Sequence, residues 1–189
     1  MQMDSPLVKQ LDAIFTTQGH SGQLPEEQKV LKDATKGTKR FCEIGFNAGH
    51  SAALVLSSDP KVEVVSFSLD EPFTQEGKKL IDKNFPGRHK LILGNSVHTV
   101  RKQPPLLCDT FFIDGGHEYK VAKADIENAR KHLRPKGVLI MDDVNCDAHW
   151  CEGPSRSWSE AKADGVVADY YNWTHARGRR GFSVARYMK

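Results

Sequence analysis

Three aspartates directly follow two apolar segments of this chain, where their carboxylates could hold a divalent cation. Asp114 follows Phe111–Ile113, and Asp142 and Asp143 follow Val138–Met141. If these segments are neighbouring strands, their axes lie about 4.8 Å apart and the carboxylates converge. Clustered carboxylates repel one another unless a cation compensates, and Mg²⁺ prefers such oxygen ligands. The pattern predicts a magnesium site, with helix capping by the same side chains as the alternative.

A histidine stands three residues after the first of these aspartates. His117 lies in the segment Asp114-Gly-Gly-His117. An unperturbed imidazole has a pKa of about 6.5, so it can accept a proton near neutral pH. His117 is therefore a candidate general base, and a helix cap or a group that orients a metal ligand is the alternative.

A third segment has the glycine spacing of a ligand-binding turn. The apolar segment Arg40–Ile44 leads into Gly45, Asn47 and Gly49, and a helical pattern begins at Ser51–Leu56. Glycines allow a sharp turn and a close approach of a ligand to the backbone. The spacing G-x-x-x-G differs from the dinucleotide motif G-x-G-x-x-G, because Asn47 occupies the position of its middle glycine. An ordinary turn between a strand and a helix is the alternative.

These segments together resemble the class I S-adenosylmethionine (SAM) methyltransferases. The similarity is greatest to the metal-dependent macrocin-type O-methyltransferases and more distant to catechol O-methyltransferase, and it covers about residues 40–145. It rests on Glu43–Gly49, Gly94–Ser96, Ile113–His117 and Met141–Val144. The resemblance implies an enzyme that uses SAM and a divalent cation. It assigns the metal ligands to Asp114, Asp142 and Asp143 and the general base to His117.

The cofactor contacts are expected to follow the same resemblance. The residues expected at SAM are Glu43, Gly45, Asn47, Gly49, His50, Ser68, Asp70, Asn95, Ser96 and Asp114. Glu43 would meet the methionine ammonium group or a loop amide, and His50 could reach the cofactor carboxylate. Asn95 and Ser96 would lie beside the adenine. The family usually has an acid that bridges the ribose hydroxyls where this chain has Ser68, and we expect Asp70 to replace it, with Glu71 as the alternative.

The elements that must position these residues follow an alternating pattern of short apolar segments and helical segments. The predicted strands are Arg40–Ile44, Val62–Phe67, Lys90–Leu93, Thr110–Ile113, Val138–Met141, Val166–Tyr171 and Gly181–Tyr187. Such alternation is typical of parallel βαβ units. We therefore predict one Rossmann-like α/β domain over residues 1–189. As in the methyltransferases that the chain resembles, its seven-stranded sheet is expected to be mostly parallel with an antiparallel C-terminal pair and to have helices on both faces, preceded by a helical cap over residues 1–38.

Two further segments carry structural predictions. The spacing of Ala122, Ile126, Ala129 and Leu133 predicts a helix that stops at Arg134–Gly137. The predicted connection over residues 145–173 is long and rich in aromatic side chains, as substrate loops often are. Within it we expect Trp150 to form a wall of the substrate site and Trp158 and Tyr170 to fill the core.

The cysteines do not predict a disulfide scaffold, because 189 residues contain only four of them. Cys42 and Cys108 are expected in the core. Cys146, His149 and Cys151 lie close enough in sequence to suggest zinc, but a closed zinc site needs four ligands and no second pair has a matching spacing.

Composition and sequence pattern argue against a nucleic-acid-binding, secreted or membrane-spanning protein. A net charge of +3 with 8 % aromatic residues gives no nucleic-acid signature, and we expect the arginines at positions 177, 179 and 180 to lie in a solvated turn. The N-terminus lacks the pattern of a secretory signal, and no apolar segment is long enough to cross a bilayer. These features predict a cytoplasmic protein without nucleic-acid or membrane partners, and a homo-oligomer stays open.

The sequence thus predicts a SAM- and Mg²⁺-dependent O-methyltransferase that acts on a hydroxyl of a small molecule. A sugar, a natural product and a vicinal diol or catechol all fit as acceptors. A metal-independent methyltransferase and a non-catalytic SAM-binding partner subunit remain as alternatives. The missing G-x-G-x-x-G motif argues against a nicotinamide-dependent dehydrogenase.

Overall fold

The computed structural model describes residues 5–14 and 24–188. The chain divides into two compact units, Met1–Asn95 and Ser96–Lys189. The single domain over residues 1–189 and its helical cap over residues 1–38 stay predictions. No helix in the described ranges has the length and apolar character needed to cross a membrane.

The first unit alternates helices with a parallel set of three strands. Its elements are α1 (Pro6–Ile14), α2 (Pro25–Thr35), β1 (Arg40–Ile44), α3 (His50–Ser58), β2 (Glu63–Ser68), α4 (Pro72–Asn84) and β3 (His89–Leu93). Strand β2 pairs in parallel with β1 on one side and β3 on the other. Proline occupies the first turn of α2 and α4, where its missing N–H costs no helical hydrogen bond. The register sets Glu43 of β1 opposite Ser66 of β2.

The second unit combines a parallel strand pair with an antiparallel C-terminal pair. Its elements are α5 (Ser96–Lys102), β4 (Cys108–Ile113), α6 (Tyr119–Ala129), β5 (Leu133–Asp142), α7 (Glu152–Ala163), β6 (Val167–Thr174) and β7 (Gly181–Tyr187). Strands β4 and β5 are parallel, and β7 pairs antiparallel with both β5 and β6. Strand β4 is almost wholly buried, as its run of apolar residues predicts.

The described strands form one mixed seven-stranded sheet in the order β3-β2-β1-β4-β5-β7-β6. The sheet is mostly parallel and ends in an antiparallel pair, which confirms the predicted Rossmann-like fold class. The predicted bounds of β1 and β7 agree with the structure residue for residue. Within the predicted helical cap over residues 1–38, residues 1–4 and 15–23 lie outside the described ranges.

The predicted end of the sixth helix is wrong. Helix α6 ends at Ala129, a short 3₁₀ turn follows, and Leu133 already belongs to β5. The fully buried His132 fixes this turn, because its ring accepts a hydrogen bond from the Leu106 N–H (3.3 Å) and contacts the Val100 carbonyl (3.0 Å). Local periodicity carries no information about such distant partners. Pro135 lies inside β5, in a register shift where the ladder needs no N–H donor.

Of the two aromatic residues of the C-terminal segment that were expected in the core, one is buried and the other is exposed. Trp158 is buried, as predicted, and its indole N–H donates to Asp169 Oδ1 (3.0 Å). Tyr170 is 55 % exposed, so its predicted place in the core is wrong. The pairing of β6 with β7 shifts register between Asp169 and Tyr171, which leaves Tyr170 outside the regular alternation. The supposed long connection contains helix α7.

Candidate active site

The glycine loop after β1 has a backbone that ordinary side chains rarely adopt. Gly45, Asn47 and Gly49 have positive φ angles of 102°, 50° and 95°. A Cβ at Gly49 would stand 2.8 Å from the ring of Phe46 and 3.1 Å from Ile81. Glycine at position 49 is therefore required by space as well as by φ.

Strand β2 holds this loop from the side. The Gly45 N–H donates to the Phe67 carbonyl (2.9 Å), and the Asn47 N–H donates to Ser68 Oγ (3.3 Å). The side-chain oxygen of Asn47 is buried and has no hydrogen-bond partner among the described residues. Ser68, expected near the ribose, thus supports the loop, and Asn47 retains an unused acceptor.

Glu43 lies fully buried at the base of the loop. Its carboxylate oxygens accept hydrogen bonds from Ser51 and Ser66, each at 2.6 Å, and Ser66 also contacts His89 Nε2 (2.8 Å). Burial raises the pKa of Glu43 to about 7, against the lowering effect of the two hydroxyl donors. Burial also lowers the pKa of His89 to about 3, so its ring is neutral at physiological pH. The carboxylate of Glu43 ties β1 to β2 and α3.

Two other residues expected at SAM have partners of their own in the first unit. The ring of the buried His50 contacts Asp12 Oδ1 of α1 (3.1 Å). The exposed Asp70 accepts a hydrogen bond from the side chain of Gln75 (2.7 Å). The structure therefore gathers Gly45, Asn47, Gly49 and Ser68 and places His50 and Asp70 in separate contacts.

The expected adenine contacts fall at the boundary of the two units. Asn95 ends the first unit and Ser96 begins α5 in the second. Burial raises the pKa of Asp125 on α6 to about 7, and the nearby hydroxyl of Ser96 opposes this shift. Sequence reasoning missed Asp125, although the apolar period of α6 places it next to the buried Ile126.

The three predicted metal ligands lie together in the second unit. One oxygen from each of Asp114, Asp142 and Asp143 lies within 4.8 Å of the other two. Asp142 and Asp143 are buried, and Asp142 Oδ1 has no hydrogen-bond partner among the described residues. Burial raises the pKa of Asp142 to about 7, and the neighbouring charge of Asp143 adds to this effect. A set of hard oxygen donors with one unused buried oxygen fits Mg²⁺.

His117 is in contact with this carboxylate cluster. Its Nε2 lies 2.9 Å from Asp143 Oδ2, while about half of the His117 side chain remains exposed. The hydrogen bond to Asp143 raises the pKa of His117, and partial burial opposes it. In the neutral ring this contact requires the proton on Nε2, so the lone pair is on Nδ1.

Sequence reasoning missed the role of Arg180. Its charge lowers the pKa of Asp142 and that of His117. The antiparallel pairing of β5 with β7 explains its position, because residues just before β7 lie beside those just after β5. The guanidinium of the neighbouring Arg179 lies 5.3 Å from the ring centre of Trp150. The segment that we expected to be a solvated turn therefore places the positive charge of Arg180 near the aspartate cluster.

The cysteines also differ from the sequence prediction. Cys146 and Cys151 form a disulfide, so they do not hold zinc in this form, and the ring of His149 packs edge-on against Trp150. Cys42 and Cys108 are fully buried, as expected, but no cysteine in the described part of the chain is a free thiol.

Comparison with protein families decides the class of this chain. Residues 42–144 match the model of a family described as a methyltransferase domain. The chain belongs to this family. The match confirms that the chain is a methyltransferase, as the sequence predicts. No curated protein matches the chain.

Solved methyltransferase structures have the same fold. An O-methyltransferase from Bacillus cereus in complex with S-adenosylhomocysteine (SAH) is 20 % identical, with a TM-score of 0.74 over 96 % of this chain and 89 % of that one. TomG of Streptomyces achromogenes, an O-methyltransferase involved in tomaymycin synthesis and solved with SAM, is 17 % identical, with a TM-score of 0.73 over 100 % and 92 %. The SAH-bound methyltransferase PaMTH1 of Podospora anserina is 16 % identical, with a TM-score of 0.73 over 97 % and 88 %.

Proposed function

We propose that this methyltransferase transfers the methyl group of SAM to a hydroxyl of a small molecule with the help of Mg²⁺. The observation that carries the proposal is the cluster of Asp114, Asp142 and Asp143 with His117 hydrogen-bonded to it. Metal-free methyl transfer would give no reason to bury two adjacent carboxylates beside a third. Their mutual repulsion is compensated when a divalent cation binds.

The three aspartates would be the protein ligands of the cation. When bound, Mg²⁺ lowers the pKa of the acceptor hydroxyl and fixes the position of its oxygen. Arg180 contributes a positive charge that favours the ionised form of Asp142. The cluster therefore stays competent to bind a cation although Asp142 is buried.

His117 would take the proton of the acceptor hydroxyl. Asp143 accepts the hydrogen bond from Nε2 and leaves the Nδ1 lone pair as the base. This arrangement fixes both the tautomer and the orientation of the ring, as a carboxylate does for the histidine of a catalytic triad. The exposed half of the His117 side chain gives the acceptor access to the base.

The loop of Gly45, Asn47 and Gly49 would hold SAM. Its positive φ angles remove side chains from the path of the cofactor, and the unused Asn47 oxygen can accept a hydrogen bond from an ammonium or hydroxyl group. Support comes from the relatives with this fold that were solved with SAM or SAH. The predicted SAM contacts of His50, Asp70 and Asn95 remain part of the proposal.

The acceptor is proposed to be a small molecule with a hydroxyl next to a second oxygen, because two neighbouring oxygens can chelate one cation. Trp150, whose ring lies beside the guanidinium of Arg179, would form a wall of the acceptor site. TomG, an O-methyltransferase involved in tomaymycin synthesis, supports a small-molecule acceptor. The cytoplasmic location stays a prediction, and a homo-oligomer stays open.

A methyl-transfer assay tests the proposal. Labelled SAM and a panel of catechols, sugars and isolated alcohols are incubated with the protein in Mg²⁺, in chelator, and in chelator with Mg²⁺ restored. We expect methylated catechol or vicinal diol products only where Mg²⁺ is present. Equal turnover in chelator would favour the metal-independent alternative, and SAM binding without turnover on the panel would favour the partner subunit.

A further inference from the structure

The two cysteines after β5 lie beside a carboxylate of the aspartate cluster. A carboxylate oxygen of Asp143 and the Sγ atoms of Cys146 and Cys151 all lie within 4.8 Å of one another. In the structure the two sulfurs form a disulfide. Cys151 is buried, whereas Cys146 is partly exposed and lines an open cavity of about 350 Å³.

We propose that reduction of this disulfide creates a second metal site, selective for a thiophilic divalent cation such as Zn²⁺. Its ligands are Asp143, Cys146 and Cys151. Two thiolates select zinc over magnesium, because soft sulfur ligands suit Zn²⁺ and oxygen ligands suit Mg²⁺. The site goes beyond the proposed function, which uses only the oxygen ligands.

The geometry fits a zinc site with three protein ligands. Zn–S bonds of about 2.3 Å and Zn–O bonds of about 2.1 Å in a tetrahedron place the ligand atoms about 3.6–3.8 Å apart. The three ligand atoms already lie within 4.8 Å of one another in the disulfide form, so the zinc geometry requires only small adjustments of these side chains. A water would complete the tetrahedron, as in zinc sites with an open position.

The redox step needs an external dithiol. One thiolate of the dithiol attacks the Sγ of Cys146, the less buried of the two cysteines, and the S–S bond breaks with Cys151 leaving as a thiolate. The second thiol of the reductant then displaces Cys146 from the mixed disulfide. The protein gains two electrons and two protons, and the dithiol becomes a cyclic disulfide. Binding of Zn²⁺ then displaces the thiol protons.

The new site is coupled to the magnesium site through Asp143, and this part of the inference rests on the proposed function. Two divalent cations that share one carboxylate repel each other, so each lowers the affinity of the other. In this account the reduced protein with zinc bound is less active at a given Mg²⁺ concentration. The oxidised protein does not respond to zinc in this way.

Cadmium titration of the whole chain tests the site, since Cd²⁺ replaces Zn²⁺ and its thiolate bonds absorb in the ultraviolet. The dithiol-treated wild type should gain this band at one equivalent, and the untreated protein should not. The matched control is Cys146→Ser/Cys151→Ser, which keeps Cys42 and Cys108 and should lack the band. Asp143→Asn should weaken Cd²⁺ binding by about tenfold or more, and excess Mg²⁺ should raise the Cd²⁺ concentration needed for half-saturation.

Three results would overturn the inference. The first is a band of equal intensity in the double variant, which would assign it to Cys42 and Cys108. The second is no band in the treated wild type, or a thiol count that does not exceed that of the double variant by two. The third, a Cd²⁺ affinity unchanged by Asp143→Asn and Mg²⁺, would remove Asp143 from the site. None of these readouts requires methyl transfer, so failure of the proposed O-methylation is recognised separately.

Discussion

At the scale of single residues, His117 and Asp142 carry the proposed chemistry by different means. His117 is half exposed and can reach a substrate, and its contact with Asp143 fixes the tautomer. Asp142 is buried, and one of its oxygens has no hydrogen-bond partner among the described residues. A bound cation would stabilise its ionised carboxylate. The proposed base and the proposed metal ligand can therefore be tested separately.

Replacing the base should reduce turnover without affecting binding. We expect His117→Ala to lose about 10²–10⁴-fold in kcat, the usual contribution of general base catalysis. Calorimetry should show unchanged affinities for SAM and Mg²⁺. Because His117 accepts the proton only when neutral, the wild-type rate should fall as the pH drops through the pKa of its imidazole, and His117→Ala should lack this decline. His98→Ala, at an exposed histidine of α5, is the control. Wild-type turnover in His117→Ala would exclude it as the base.

Removing the charge of Asp142 should stabilise the metal-free protein. Burial and the neighbouring Asp143 disfavour the ionised carboxylate, so Asp142→Asn should gain about 1–3 kcal/mol in the free energy of unfolding in chelator. Mg²⁺ at 100 times its Kd should add about 2.7 kcal/mol to the wild type and almost nothing to the variant. Thermal unfolding with and without Mg²⁺ measures both effects. If the exposed control Asp164→Asn behaved like Asp142→Asn, the cluster would have no special role.

At the scale of elements, the loop between β1 and α3 depends on both its glycines and the buried carboxylate below it. Gly45 and Gly49 permit the turn, and Glu43 joins β1 to Ser66 of β2 and Ser51 of α3. Each glycine shapes the loop surface, whereas Glu43 fixes the elements on either side. Substitutions at the two kinds of position should therefore have different effects.

A side chain at the first glycine of the loop should abolish cofactor binding. Gly45→Val places a branched side chain where SAM is proposed to approach and strains a φ of 102°. We expect at least about a hundredfold loss of SAM affinity in a protein that still folds. Gly37→Val is the matched control, since Gly37 also has a positive φ and a Cβ there meets open space. Equal losses in both variants would attribute the effect to strain alone.

The buried Glu43 should make stability depend on pH. Its folded pKa of about 7 lies above the ordinary 4.5, so folding favours the protonated form. As the pH rises from about 4.5 to 7, the unfolded chain ionises first and stability falls, by about 3 kcal/mol in all. Glu43→Gln should remove this contribution. Denaturant unfolding from pH 5 to 8 measures it as the difference between the two proteins, because Asp125 and Asp142 titrate similarly in both. Parallel curves would contradict the shifted pKa.

At the scale of the whole molecule, the features that could be predicted from the sequence are those that depend on the local pattern of apolar and polar residues. The alternation of apolar and helical segments was enough to predict the bounds of β1 and β7 and the fold class. Because Asp114 and Asp142 follow neighbouring strands, their proximity could also be predicted. Partners distant in sequence were not predicted. Arg180 reaches the cluster only through the antiparallel pairing of β5 with β7, and the turn at His132 depends on contacts with α5 and the segment after it.

A crystal structure with SAH and Mn²⁺ would show whether the aspartate cluster holds a divalent cation. Mn²⁺ suits the same oxygen ligands as Mg²⁺, and its anomalous scattering identifies it. We expect one strong anomalous peak coordinated by Asp114, Asp142 and Asp143. If crystals that contain bound SAH showed no anomalous peak at the cluster, or Mn²⁺ bound only at other residues, the three aspartates would not form a metal site.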